Sequence, residues 1–299
     1  MRVAAGDVGT NSTRLLVADV DGGRVRPVER RVVVTGLGAG VDAAGRLGAA
    51  GVTRTLEVLA SYAAAARSAG AARVRAVATS AVRGAADRDR FLDRAADAVG
   101  VRPEVIDGEE EAVLSFLGAA GGVGGPGPYL VIDVGGGSTE FVFGADSPEF
   151  LRSIDLGSRR ITERCLRSLA ADPPALAAAR RAAGEAFAEV ALPGVPRTVV
   201  GTGGTYTALG AIALDLAAYD PERVHGSVLT LATLDGLADR LAALSLEETA
   251  ALPSLDPARA PVLLGGALVG AEALRRSGRP ELVVSEADLL DGIARLLAG

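Results

Sequence analysis

One segment occurs twice in the chain: Asp7-Val8-Gly9-Thr10-Asn11-Ser12-Thr13 and Asp133-Val134-Gly135-Gly136-Gly137-Ser138-Thr139. Each copy is entered from a short apolar stretch and left by another, so Asp, Val, Gly, Ser and Thr recur in one register within one strand-turn-strand context. A chain that duplicates such a unit folds into two α/β lobes of like architecture. The length of 299 residues agrees, because it exceeds the size at which a single core usually keeps growing. Between the copies, Gly121-Gly122-Val123-Gly124-Gly125-Pro126-Gly127-Pro128 can sustain neither helix nor strand. The boundary is therefore placed there, giving lobes 1–124 and 125–299. A strand-turn-strand from each lobe is expected to line one interdomain cleft, where small-ligand sites commonly form.

Local patterning fills in the first lobe. Strands are predicted from Arg2 to Asp7, Thr13 to Asp19 and Val25 to Thr35, with Asp21-Gly22-Gly23 as a hairpin turn. A helix follows over residues 49–69, with Val52, Leu56, Leu59 and Ala63 at helical spacing and Gly70 as its stop. Then come a strand from Val74 to Thr79, a helical stretch from Phe91 to Val99, a short strand from Glu104 to Ile106 and a helix opening at Glu109.

The turns suit anions. Glycines at 135–137 let consecutive N–H groups turn toward a phosphate without side-chain interference, and Gly9, Thr10, Asn11 and Ser12 form the matching turn. A third glycine-rich turn, Gly201-Thr202-Gly203-Gly204-Thr205, follows an apolar strand at 198–200 and opens a helix whose N-terminal dipole also favours anions. Each of the three also reads as an ordinary tight β-turn. Asp133 and Glu140 flank the triple-glycine turn, and Asp7 joins them as a candidate ligand for Mg2+, a hard cation that takes one or two carboxylates and bridges to phosphate oxygens. For Asp7 and Asp133 the alternative is turn capping.

Composition narrows the remaining choices. A single cysteine, Cys165, and a single histidine, His225, leave no zinc-ligand cluster. A net charge of −6 without a basic block, 3% aromatics and no tryptophan argue against nucleic acid as a partner. No apolar run approaches membrane-spanning length and no signal-peptide pattern opens the chain, which predicts a soluble, cytoplasmic protein without a membrane partner. All 31 basic residues are arginine, read as coding bias rather than phosphate preference. A homodimer is compatible with the sequence, which sets no oligomeric state.

Other residues divide between chemistry and packing. Glu109-Glu110-Glu111 opens a helix with Val113, Phe116, Leu117 and Ala120 on one face; read alone, the acids complement the helix dipole. Arg83, just past a strand end, is placed for bidentate contact with a phosphate, with Arg14 and Arg223 as further candidates. Cys165 reads as a helix core residue and His225 as a loop residue. Gly36-Leu37-Gly38-Ala39-Gly40 reads as a flexible surface loop.

Taken together, Asp7 through Ser12, Ala78-Thr79-Ser80-Ala81-Val82-Arg83, Glu109-Glu110-Glu111-Ala112, Asp133 through Glu140, Gly203-Gly204-Thr205 and Arg223-Val224-His225-Gly226 resemble the motifs of the exopolyphosphatase and guanosine pentaphosphate phosphohydrolase (Ppx/GppA) family, within the actin-like ATPase superfamily. The resemblance implies two ribonuclease-H-like lobes around a cleft and stepwise release of orthophosphate from a polyphosphate end. It implies Glu111 as catalytic base, Asp133 and Glu140 around Mg2+, and the two hairpins with Arg83 holding phosphate. The alternatives are guanosine penta- or tetraphosphate as substrate, an ATP-dependent kinase on the same fold, and a sensor that binds without hydrolysis. Gly36, Ala39, Asp87 and Pro261 depart from the family pattern. The chain resembles the short form, without C-terminal helical domains, which implies a weaker grip on long polymers.

Overall fold

The structure is a computed structural model describing residues 1–166 and 170–299. Two compact units emerge, Met1–Gly118 with Leu289–Gly299, and Ala119–Asp288.

In the first unit β1 (Arg2–Val8), β2 (Thr13–Asp21) and β3 (Arg24–Val33) form an antiparallel meander turning at Gly22 and Gly23, both with positive φ. β4 (Arg73–Ala78) pairs with β1 and β5 (Glu104–Val105) with β4, both in parallel, giving the order β3-β2-β1-β4-β5. Val3, Ala4, Ala5, Leu16 and Val17 are fully buried on both faces of β1 and β2. That is why these strands read as apolar runs rather than alternating ones. The edge strand β3 carries arginines and half-exposed positions instead, which discourages edge pairing. The long helix Ala49–Ser68 covers one face, and its Tyr62 hydroxyl donates to the Thr13 carbonyl at 3.1 Å. Thr35, predicted in the third strand, lies beyond its end.

In the second unit β6 (Tyr129–Val134), β7 (Thr139–Gly144) and β8 (Pro148–Ile154) repeat the meander. β9 (Thr198–Thr202) lies parallel to β6; β10 (Val228–Thr230) and β11 (Glu281–Val284) complete the order β10-β11-β9-β6-β7-β8. Without β10, this is the order of the first unit, the ribonuclease-H-like arrangement. The duplication read in seven residues thus extends to both sheets. The core gathers Leu130, Ile132, Phe141, Leu209 and Leu268, with Phe141 and Phe187 in an edge-to-face contact at 5.1 Å.

The units differ from the expected lobes at their ends. The sequence places the junction at 124/125 and the chain end in the second lobe, whereas the contacts place the junction at Gly118/Ala119 and return the final helix, Leu289–Ala298, to the first unit. Its apolar face explains this: Leu289, Leu290 and Ile293 fill a core with Val3, Ala5, Leu16, Ile106 and Leu114. Gly292 lies against the Leu114 carbonyl with no room for a Cβ. The helix therefore braces the helix Gly108–Ala119, on which Glu111 sits.

Candidate active site

Both turns close with the same bond: Gly9 N–H donates to Ser12 O and Gly135 N–H to Ser138 O, each at 3.0 Å. Beyond that bond each turn is held by a strut that fixes its peptide planes. In the second unit, Ser158 N–H donates to Gly135 O (2.9 Å), while Arg159 and Arg160 N–H groups donate to Gly136 O (2.9 and 3.3 Å) from the start of the helix Ser158–Cys165. A trans peptide is planar, with C=O and N–H opposed. Carbonyls of Gly135 and Gly136 fixed toward the helix therefore turn the N–H groups of Gly136 and Gly137 away from it. In the first unit the strut is Gly36–Gly40: Gly38 N–H donates to Thr10 O (2.8 Å) and Gly36 N–H to Asn11 O (2.9 Å), which turns the N–H groups of Asn11 and Ser12 away in the same manner. Each unit thus presents consecutive donors, the arrangement of an anion cradle.

The strut corrects one expectation. Gly36-Leu37-Gly38-Ala39-Gly40 is a packed brace rather than a flexible surface loop, because Leu37 is fully buried and Gly38 sits against Thr10 with no space for a Cβ. Sequence reasoning also missed Gly157 and Ser158. A Cβ on Gly157 would fall 2.6 Å from Gly135 O and 2.7 Å from Gly136 O. A glycine directly ahead of a serine that opens a helix was the available signal.

Hydroxyls of the turns serve the fold more than a ligand. Thr139 Oγ1 donates to Leu156 O (2.6 Å), Thr205 Oγ1 donates to Val134 O (2.9 Å), and Thr10 Oγ1 accepts from Ala81 N–H (3.2 Å). Ser138 is buried and Ser12 half-buried. For Thr139 and Thr205, predicted as phosphate ligands, the side chain is thus engaged inside the unit.

The acids behave differently in the two turns. Antiparallel register sets Asp7 opposite Arg14 and Asp133 opposite Glu140, so each pair shares one face of its sheet. Asp7 is 1% exposed, and its Oδ2 accepts from Arg14 Nε (2.8 Å) and Nη2 (2.7 Å). The guanidinium is already the counter-charge there, which sets Asp7 apart from the other candidate metal ligands. In the second unit two carboxylates face each other, Asp133 at 7% and Glu140 at 1% exposure, with Ser153 Oγ donating to Glu140 Oε1 at 2.7 Å. Two hard carboxylates opposed on one face are a donor set of the kind Mg2+ takes, so this pair fits Mg2+. Among the described residues no group of three or more His, Cys, Asp or Glu gathers as a metal cage. A magnesium ion here would rely on two carboxylates, water and substrate oxygens, as it commonly does.

The third turn closes around Asp133. Gly203 takes φ +83° and lies directly against the Asp133 carboxylate. Burial, and after it the Asp133 charge, push the Tyr206 hydroxyl far above its ordinary pKa, so it stays a neutral donor to Gly270 O (3.0 Å). Gly204 lies against the Arg259 guanidinium, a cation that sequence reasoning did not single out. Pro261, one of the departures, occupies the first turn of the helix Ala260–Arg276, where its missing N–H has no intrahelical partner to lose.

Glu111 sits in the first turn of the helix Gly108–Ala119, with 13% of its side chain exposed. Asp107 Oδ1 accepts Glu110 N–H at 2.8 Å and so caps that helix. Glu110, with Glu104, binds Arg75 at 2.6 and 2.7 Å, an ordinary surface pairing. Arg83 Nη1 donates to Ile106 O (2.9 Å) and to Glu111 Oε2 (3.3 Å). Asp87, another departure, accepts Leu47 N–H at 3.0 Å. Arg223 is exposed, and Cys165 is half-buried against the core at its helix end. His225 links Gly122 O through Nε2 (3.0 Å) and accepts Glu286 N–H at Nδ1 (3.2 Å), a structural bridge. No helix among the described residues is long and apolar enough to cross a membrane.

Exopolyphosphatase 2 of Mycobacterium tuberculosis is 45% identical over 319 residues, spanning 100% of this chain and 99% of that protein. Among solved structures, an exopolyphosphatase-like protein superposes with TM-score 0.93 at 34% identity over 98% of both chains. A Ppx/GppA protein of Aquifex aeolicus superposes with TM-score 0.84 at 31% identity, over 100% of this chain and 97% of the other. With residues 16–294 matching the Ppx/GppA phosphatase family as well, the chain belongs to that family.

Proposed function

We propose that the protein is an exopolyphosphatase, which hydrolyses the terminal phosphoanhydride of inorganic polyphosphate with Mg2+ and releases orthophosphate. The observation that carries this reading is that each unit holds a braced turn presenting consecutive N–H groups suited to phosphate oxygens. Each charge-assisted bond of that kind contributes roughly 1.5–3 kcal/mol. The name and extent of the M. tuberculosis relative support the same substrate class.

In this mechanism Gly136, Gly137, Asn11 and Ser12 hold phosphate oxygens through backbone N–H groups, and Asp133 and Glu140 would hold the metal. A magnesium ion held there would supply neutralisation of phosphate charge. Glu111 takes a proton from a water, whose oxygen bonds to the terminal phosphorus as the bond from that phosphorus to its bridging oxygen breaks. The bridging oxygen leaves as the new terminus of a chain one phosphate shorter. General-base assistance of this kind is worth about 10²- to 10⁴-fold.

Phosphate release from polyphosphates of several lengths and from guanosine pentaphosphate, with and without Mg2+, tests the proposal. Release from polyphosphate that needs Mg2+ and Glu111 is the expected result. Preference for the nucleotide, or binding of polyphosphate without any release, overturns it.

A further inference from the structure

The family resemblance makes Arg83 a phosphate ligand, yet its hydrogen bonds run to protein. Arg83 ends the short helix Ser80–Arg83 that follows β4. Its Nη1 reaches two acceptors, the Ile106 carbonyl at 2.9 Å and Glu111 Oε2 at 3.3 Å. Ile106 lies in the core beside Val77 and Leu114, so its carbonyl is a fixed point. Anchored there, the guanidinium in turn fixes one oxygen of a carboxylate that is itself mostly buried. Its surroundings are also held: Asp107 caps the helix, and Arg75 ties Glu110 to Glu104 on β5. A guanidinium beside a carboxylate favours the ionised form, the form a general base needs.

From this geometry we infer that Arg83 is a positioning residue for Glu111, holding its carboxylate oriented toward the attacking water, rather than an anchor for phosphate. The inference rests on the reading of Glu111 as the base. The two roles separate kinetically. An anchor contributes to KM, whereas a positioning residue contributes to kcat and to the acid limb of its pH profile.

The test measures phosphate release from polyphosphate across roughly pH 5 to 9 for the wild-type chain, Arg83→Met, Arg83→Lys and Glu111→Gln, with circular dichroism as a folding check. Arg83→Met keeps the apolar stem and removes the charge. Its kcat should fall about thirtyfold, since small misplacements of a catalytic group have effects of that size. Its acid limb should move up, because the ionised carboxylate loses its cation, while KM stays within about twofold. Arg83→Lys restores the charge and should bring the limb back. An acid limb unmoved in Arg83→Met, with KM raised, overturns the inference and returns Arg83 to the phosphate. Should Arg83→Met not fold, Arg83→Lys decides alone: lowered kcat at unchanged KM supports positioning, and raised KM at unchanged kcat overturns it. Turnover retained in Glu111→Gln is a separate result, which removes the base assignment itself.

Discussion

The two turns share Asp, Val, Gly, Ser, Thr and the sheet around them, and of the three positions at which they part, Thr10/Gly136, Asn11/Gly137 and Arg14/Glu140, only the last changes charge. Opposite the first aspartate stands Arg14; opposite the second stands Glu140. In the first unit the buried acid is neutralised within the protein, while in the second the acid is doubled. On the reading proposed above, the shared part is a cradle for an anion, and the eighth position decides which cradle also takes a cation. On the proposed reading, duplication supplied two phosphate turns, and one of them gained a metal site. An acidic protein, at −6, would need such a division to take the polyanion proposed as its substrate.

Exchanging the two charges is the strongest way to break this comparison. Glu140→Arg gives the second turn the pairing of the first, so the fold should persist while Mg2+-dependent phosphate release falls roughly thousandfold, the several kcal/mol a catalytic metal supplies. Near-normal release would remove the metal from this turn. The reverse change, Arg14→Glu, sets two buried acids against each other in the first unit. It should lower unfolding free energy by about 3 kcal/mol in urea titrations, the scale of a broken buried ion pair. An unchanged midpoint would mean that the Asp7–Arg14 pair is dispensable.

The struts sharpen the comparison at smaller scale. They differ, a helix start in one unit and a glycine loop in the other, but serve one purpose. Gly157→Ala pushes against the Gly135 and Gly136 carbonyls, and should raise KM for polyphosphate about thirtyfold, roughly 2 kcal/mol of lost backbone contacts, with kcat less affected. An unaltered KM would disconnect the peptide planes from binding. Ser153→Ala removes only the bond to Glu140 Oε1 and should weaken Mg2+ about tenfold, as loss of an outer-shell partner does, without altering the melting temperature noticeably. A change in stability with no change in Mg2+ affinity would assign Ser153 to the sheet alone.

Local features of this division were legible in the sequence. The meander strands, the hairpin at Gly22-Gly23 and the carboxylate pair all follow from period and spacing within a few residues. The spacing that sets Asp133 against Glu140 also sets Asp7 against Arg14, so the ion pair was within reach once the copies were aligned to their eighth position. The expectation of Asp7 as a metal ligand was formed without that register, and the structure sets the Arg14 pairing on Oδ2 beside it. Contacts remote along the chain were not legible. Ser158 meets Gly135, and Gly38 meets Thr10, across stretches whose glycines look like any loop until the backbone that approaches them is known. The helix Leu289–Ala298 shows its apolar face in Leu289, Leu290 and Ile293, but amphipathicity names a face and not the sheet that receives it.

The central claim is that the metal belongs to the second turn. Its most direct test is the Mg2+ dependence of phosphate release from polyphosphate in Glu140→Gln, compared with the unaltered chain. The half-saturating Mg2+ concentration should rise about a hundredfold, since one of two protein carboxylates is lost. The same half-saturating concentration in both proteins would contradict the claim.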